Sequence, residues 1–118
     1  MILVIGGIAS GKRTYVHSLG YDEADFDGDP RSSAPVLLAL EELLREGALD
    51  EATWTRILAK DVVICCEVGS GVVPIDAGER TWRERVGRTC GKLAASATKV
   101  VRMVCGIPMT LSPVEGRG

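Results

Sequence analysis

Seven consecutive residues carry most of the chemistry in this chain: Gly6, Gly7, Ile8, Ala9, Ser10, Gly11 and Lys12. They fit the spacing G-x-x-x-x-G-K, with Gly6 opening it and Gly11-Lys12 closing it. Glycines allow the backbone to approach a phosphate without a Cβ in the way, so successive N–H groups can wrap around it. Lys12 would add a mobile positive charge over the β- and γ-phosphates. A strand-to-helix turn with a surface lysine is the plainer reading. The next two residues, Arg13 and Thr14, complete the candidate nucleotide-binding stretch. A Ser or Thr hydroxyl normally follows the lysine and ligates Mg²⁺. Arg13 stands there instead, and Thr14 lies about 100° further round a helix. The pattern therefore predicts nucleotide binding with a weakened hold on Mg²⁺.

A second candidate follows the apolar run from Asp61 to Cys66. Glu67 ends that run, where a carboxylate can hold Mg²⁺ or accept a hydroxyl proton. Gly69 and Gly71 would let the backbone pass close to a substrate, or simply turn. Asp25, Asp27 and Asp29 imitate a calcium loop superficially. Pro30 falls where its glycine should be, so a solvated acidic loop is the better reading.

These groups need a scaffold, and the hydrophobic pattern supplies one. Ile2 to Ile5 reads as a buried strand, and Arg13 to Leu19 as a short helix stopped by Gly20. Ala24 to Phe26 offers at most a brief second strand. From Pro35 the spacing of Val36, Leu37, Leu40, Leu43 and Leu44 predicts a helix ended by Gly47. Asp50 reads as the cap of a helix carrying Trp54, Ile57 and Leu58. Asp61 to Glu67 suits an interior parallel strand. Residues 68–74 should be a loop, and Asp76 caps a long helix from Ala77 to Ala97. Lys99 to Cys105 is a further strand, Gly106 a turn, and Pro108 to Leu111 an edge strand. Alternating strands and helices predict an α/β fold with a mostly parallel sheet and helices on both faces. Ligands in such sheets lie beyond the carboxyl ends of the strands, so the loop at Gly6 and the segment after Glu67 should share one edge.

Composition sets outer bounds. The chain has 118 residues, 46% hydrophobic and 25% charged, and suits one domain over 1–112 with a frayed tail at 113–118. A formal charge of −2 gives no electrostatic reason to expect nucleic-acid binding. No apolar stretch has the length of a membrane span. Cys65, Cys66, Cys90 and Cys105 lack metal-ligand spacing and read as reduced thiols of a cytoplasmic protein. Cys65 and Cys66 should face opposite sides of their strand.

The segment Glu67-Val68-Gly69-Ser70-Gly71-Val72-Val73-Pro74, together with the loop at 6–12, resembles the adenosylcobinamide kinase/adenosylcobinamide-phosphate guanylyltransferase family. The helix around Val86-Gly87-Arg88-Thr89-Cys90 and the ending Val100 to Ile107 are similar too. The likeness covers residues 1 to about 20 and 61 to 111. It implies a reduced P-loop NTPase-like fold and a homo-oligomer using ATP or GTP, with Mg²⁺, to phosphorylate adenosylcobinamide. Lys12 and Glu67 would be its catalytic residues.

The resemblance also implies parts that the region from Gly20 to Asp61 does not offer: a second strand, a guanylylated histidine, and a further strand ending in an acidic residue. His17 lies in the phosphate-loop helix, so the guanylyltransferase step should be lost. Cys66 and Cys90 each occupy a position where the family usually has asparagine. Two alternatives remain open at this point: a degenerate protein that binds nucleotide or corrinoid without turnover, and a kinase of another small alcohol.

Overall fold

The computed structural model describes residues 1–68 and 76–111. Six strands form one sheet in the order β2-β3-β4-β1-β5-β6. In chain order they are β1 (Ile2–Gly6), β2 (Phe26–Asp27), β3 (Val36–Leu37), β4 (Val62–Cys66), β5 (Lys99–Val104) and β6 (Ile107–Thr110). The helices are α1 (Lys12–Ser18), α2 (Leu40–Leu43), α3 (Glu51–Leu58) and α4 (Ala77–Ser96). β1 lies between β4 and β5, parallel to both, with Ile2 beside Val62 and Lys99.

Strand alternation divides the core into two layers. Leu3, Val63 and Cys65 face Ile57, Trp82, Val86 and Leu93, contributed by α3 and α4. Val4, Val62, Ile64 and Met103 face Val16 of α1. Helices therefore cover both faces, although the second is covered by a single helix of seven residues. Interior strands buried on both sides need continuous apolar runs, which is why Val62 to Cys65 contains no polar residue.

Helix caps and one tight turn fix the local geometry. Asp50 and Asp76 cap their helices, accepting from Thr53 N at 2.7 Å and Gly78 N at 3.0 Å. Cys105 (φ 49°) and Gly106 (φ 80°) form a two-residue turn with both positions left-handed, the geometry that joins twisted antiparallel strands. β6 consequently runs back against β5, with Val104 opposite Ile107.

The region between Gly20 and Asp61 differs from expectation. Val36 and Leu37 are not helical; they form β3, pairing with Phe26 and Asp27 on one side and Val62 and Val63 on the other. Their helical spacing loses to backbone satisfaction: the buried flank of β4 needs hydrogen-bond partners, and an extended Val-Leu pair supplies them. Both side chains are fully buried. Ala39, at φ 61°, breaks the chain before α2, which keeps only four residues. Where Ala24 to Phe26 suggests a strand, the chain makes a 3₁₀ turn over Glu23–Asp25, followed by β2. Residues 20–61 therefore do contribute two strands, β2 and β3, of two residues each. The expected loop at 69–74, with Gly69 and Gly71, and the tail at 113–118 lie outside the described residues.

Candidate functional site

β1 ends at Gly6, and the backbone then bends around residues 7–11 before α1 begins. Ser10 N donates to Gly7 O at 3.2 Å, and Gly106 N donates to Ser10 O at 2.9 Å, tying the loop to the β5–β6 turn. Gly6 is a steric requirement. A Cβ there would lie 2.8 Å from Met103 O and closer still to Ser10 Oγ. Gly11 has φ 95°, a left-handed conformation that favours glycine. Lys12 bends back over the loop and donates to Gly7 O at 2.6 Å and Gly6 O at 3.2 Å. Ser10 is buried, and its Oγ has no hydrogen-bond partner. A loop with a tethered ammonium and an unpaired buried hydroxyl fits an anionic ligand, which would accept from both.

Arg13 turns away from this loop. Its guanidinium donates to both carboxylate oxygens of Glu23, at 2.8 and 3.3 Å, and lies 5.2 Å from the Phe26 ring centre. His17 joins the same cluster, with Nδ1 2.8 Å from Tyr21 O and Nε2 2.7 Å from Glu23 Oε1. The Tyr21 carbonyl, and after it Glu23, raises the His17 pKa. Arg13, and after it His17, lowers that of Glu23. Both ring nitrogens of His17 are therefore engaged.

Among the described residues, two cavities flank the loop. The first, about 480 Å³, is bounded by residues 8–14 on one side and by Leu38, Ala39, Glu41, Ile64 and Cys66 on the other. Glu41 is its carboxylate. Its Oε1 accepts from Cys66 N at 2.8 Å, while its own carbonyl accepts from Trp82 Nε1 at 2.8 Å, so both ends of the residue are held. Burial raises the Cys66 thiol pKa against the opposing pull of Lys12, which keeps it a neutral wall rather than a nucleophile. The second cavity, about 440 Å³, lies towards β5 and β6. Gly11, Thr14, Tyr15, Ser18, Met103, Gly106 and Pro108 line it, and none of them carries a formal charge.

Glu67 stands apart from both cavities. Arg102 grips it with two bonds, Nε at 2.8 Å and Nη2 at 3.1 Å, joining the end of β4 to β5 across β1. Its backbone N donates to Gly6 O at 2.7 Å, so it braces the start of the loop.

A family model described as cobinamide kinase / cobinamide phosphate guanyltransferase matches residues 37–111. The chain belongs to that family. The match begins at the second residue of β3 and runs through α2 and α3 as well as the segments from Asp61 onward. The phosphate-type loop lies before the matched residues and rests on its own geometry. No curated protein matches the chain significantly. The fold is that of a P-loop NTPase-like α/β protein, and the two activities in the family's description both consume a nucleoside triphosphate. Among the described residues no helix is long and apolar enough to cross a membrane.

Two functional candidates escaped sequence reading. Arg102 sits inside an apolar strand with nothing local to mark it. Glu41 was legible in principle: Val36 to Leu40 is a five-residue apolar run, and reading it as a strand leaves Glu41 as the first carboxylate beyond its end.

Proposed function

We propose that the chain is a nucleoside-triphosphate-dependent kinase acting on cobinamide, and that it has lost guanylyl transfer. The placement of the loop between one carboxylate-bearing cavity and one uncharged cavity carries this reading. Loop N–H groups, Ser10 Oγ and Lys12 bind the β- and γ-phosphates, with Gly6, Gly7, Ile8, Ala9, Gly11, Arg13 and Thr14 shaping the cradle. The nucleoside of ATP or GTP lies in the uncharged cavity against Tyr15 and Met103. The acceptor hydroxyl enters the other cavity beside Glu41. Its oxygen attacks the γ-phosphorus, the bond to the β–γ bridging oxygen breaks, and the nucleoside diphosphate leaves. Glu41 takes the hydroxyl proton. Glu67 acts through Arg102, holding the loop in position.

Hard oxygen donors are few here. Among the described residues no cluster of three His, Cys, Asp or Glu side chains could hold a metal. Mg²⁺ would be carried by the nucleotide's phosphate oxygens and water, with Glu41 available as a carboxylate on the cavity wall, and would neutralise phosphate charge when bound. His17 is the chain's single histidine. Its ring is engaged by Tyr21 and Glu23, which supports the loss of the covalent guanylyl step. Exposed Ile107 and Met109 on the outer strand β6 support self-association.

One observation favours a second reading, nucleotide binding without turnover: Arg13 takes the metal-ligand position and spends its charge on Glu23. Mass spectrometry of adenosylcobinamide incubated with the protein, Mg²⁺ and ATP or GTP separates the two. A phosphate adduct is expected. Unchanged corrinoid with nucleotide still bound favours the second reading, and a GMP adduct contradicts the loss of transfer.

A further inference from the structure

We propose that Cys65 and Cys90 are a modification site, a dithiol pair that closes to a disulfide between β4 and α4. Their sulfurs are 3.4 Å apart although the residues are 25 positions apart in sequence. Cys65 is fully buried on the α4 side of β4, and Cys90 is half-buried on α4. Strand alternation turns Cys66 to the other side, and its sulfur lies against Glu67 O. Cys105 is exposed in the β5–β6 turn. Among the described residues Cys65 and Cys90 are therefore the two cysteines whose sulfurs meet.

The two sulfurs are already in van der Waals contact. About 1.4 Å of further approach brings them to disulfide length. Cys90, the more exposed sulfur, meets an oxidant first. With a peroxide, the Cys90 thiolate attacks one oxygen, breaks the O–O bond and becomes a sulfenic acid, releasing hydroxide that is protonated to water. The Cys65 sulfur then attacks the Cys90 sulfur, forming the S–S bond and expelling a second water. Two thiols lose two electrons and two protons, and hydrogen peroxide becomes two waters. A dithiol reductant reverses the link by exchange.

The bond would pin the middle of α4 to the strand whose next residue, Cys66, walls the first cavity. It would also close a covalent ring around residues 66–89. Constraining that loop in the unfolded chain should raise the melting temperature by about 5 to 15 °C.

The test is exposure of the folded protein to hydrogen peroxide and intact mass, followed by blocking of free thiols in denaturant and non-reducing peptide mapping. The expected result is a loss of 2 Da, a linked Cys65–Cys90 peptide pair, and a melting temperature that rises and returns with dithiothreitol. Cys90→Ser should remove both the mass loss and the thermal shift. If that variant does not fold, mapping of the wild-type chain still decides the matter. Recovery of Cys65 and Cys90 as blocked free thiols after Cys105 has oxidised would overturn the proposal, as would Cys90 driven to sulfinic acid without a link.

Discussion

The two sides of the glycine loop differ sharply. Towards β3 and β4 the wall carries the carboxylate of Glu41, whose side chain accepts from Cys66 N and whose backbone carbonyl accepts from Trp82 Nε1, and the thiol of Cys66. Towards β5 and β6 the wall is Tyr15, Met103, Pro108 and glycine, with no formal charge. The loop itself is common to both. A charged wall suits the place where a proton must move, and an uncharged, partly aromatic wall suits a flat organic group held by contact. The same division separates the two carboxylates. Glu41 faces a cavity, whereas Glu67 is taken up by Arg102.

The comparison breaks most visibly if Glu41 is dispensable. Glu41→Gln should lower the rate of phosphate transfer about 100-fold or more, with nucleotide affinity nearly unchanged in a titration. Glu67→Gln should cost far less, and equal losses in the two variants would remove the distinction between them. Lys12→Ala acts on the shared loop. It should weaken ATP binding by about 10- to 100-fold, the worth of a charge-assisted hydrogen bond to phosphate. Tyr15→Ala sharpens the contrast on the uncharged side: ATP affinity should fall about tenfold, while inorganic triphosphate binds as before. A parallel loss for both ligands would mean that the base is not held there.

Two smaller effects test the frame around the loop. Gly6→Ala forces a Cβ against Ser10 Oγ and Met103 O, and should destabilise the fold by about 1–3 kcal/mol. Gly7→Ala meets nothing within 4 Å and has no left-handed φ, so chemical denaturation should barely distinguish it from the parent. The smallest effect concerns pH. The folded-state pKa of His17 is raised, so its contribution to stability is complete below the unfolded value of about 6.5. That contribution is lost as pH rises through the folded value. A slight fall in melting temperature between neutral and alkaline pH should result, and His17→Gln should flatten it. The side chain is partly exposed, so solvent screening keeps the effect small.

β4 and β3 show why part of this was readable in advance. Val62 to Cys66 is long enough that only a doubly buried strand accounts for it, and its boundaries follow from Asp61 and Glu67. Val36 and Leu37 belong to a run whose spacing fits a helix equally well. Two residues cannot declare a period, and their strand identity comes from β4, which lies 25 or more positions away in sequence. The same holds for the site. Gly6, Ser10, Gly11 and Lys12 are adjacent in sequence, and their types alone state their chemistry. Glu41 gains its place by a hydrogen bond to Cys66, and Arg102 by reaching Glu67 across β1; neither pairing leaves a local trace.

By itself the sequence determined the α/β alternation, the glycine loop with its lysine, the capped helices α3 and α4, and the family likeness, because each depends on side chains within a turn or two of one another. Only the tertiary structure decided that β2 and β3 exist, that Glu41 faces the first cavity while Arg102 holds Glu67, that Arg13 and His17 converge on Glu23, and that Cys65 meets Cys90. Those outcomes depend on which distant segments fill the hydrogen-bonding edge of β4 and the space beside it, and backbone satisfaction and packing settle that for the chain as a whole.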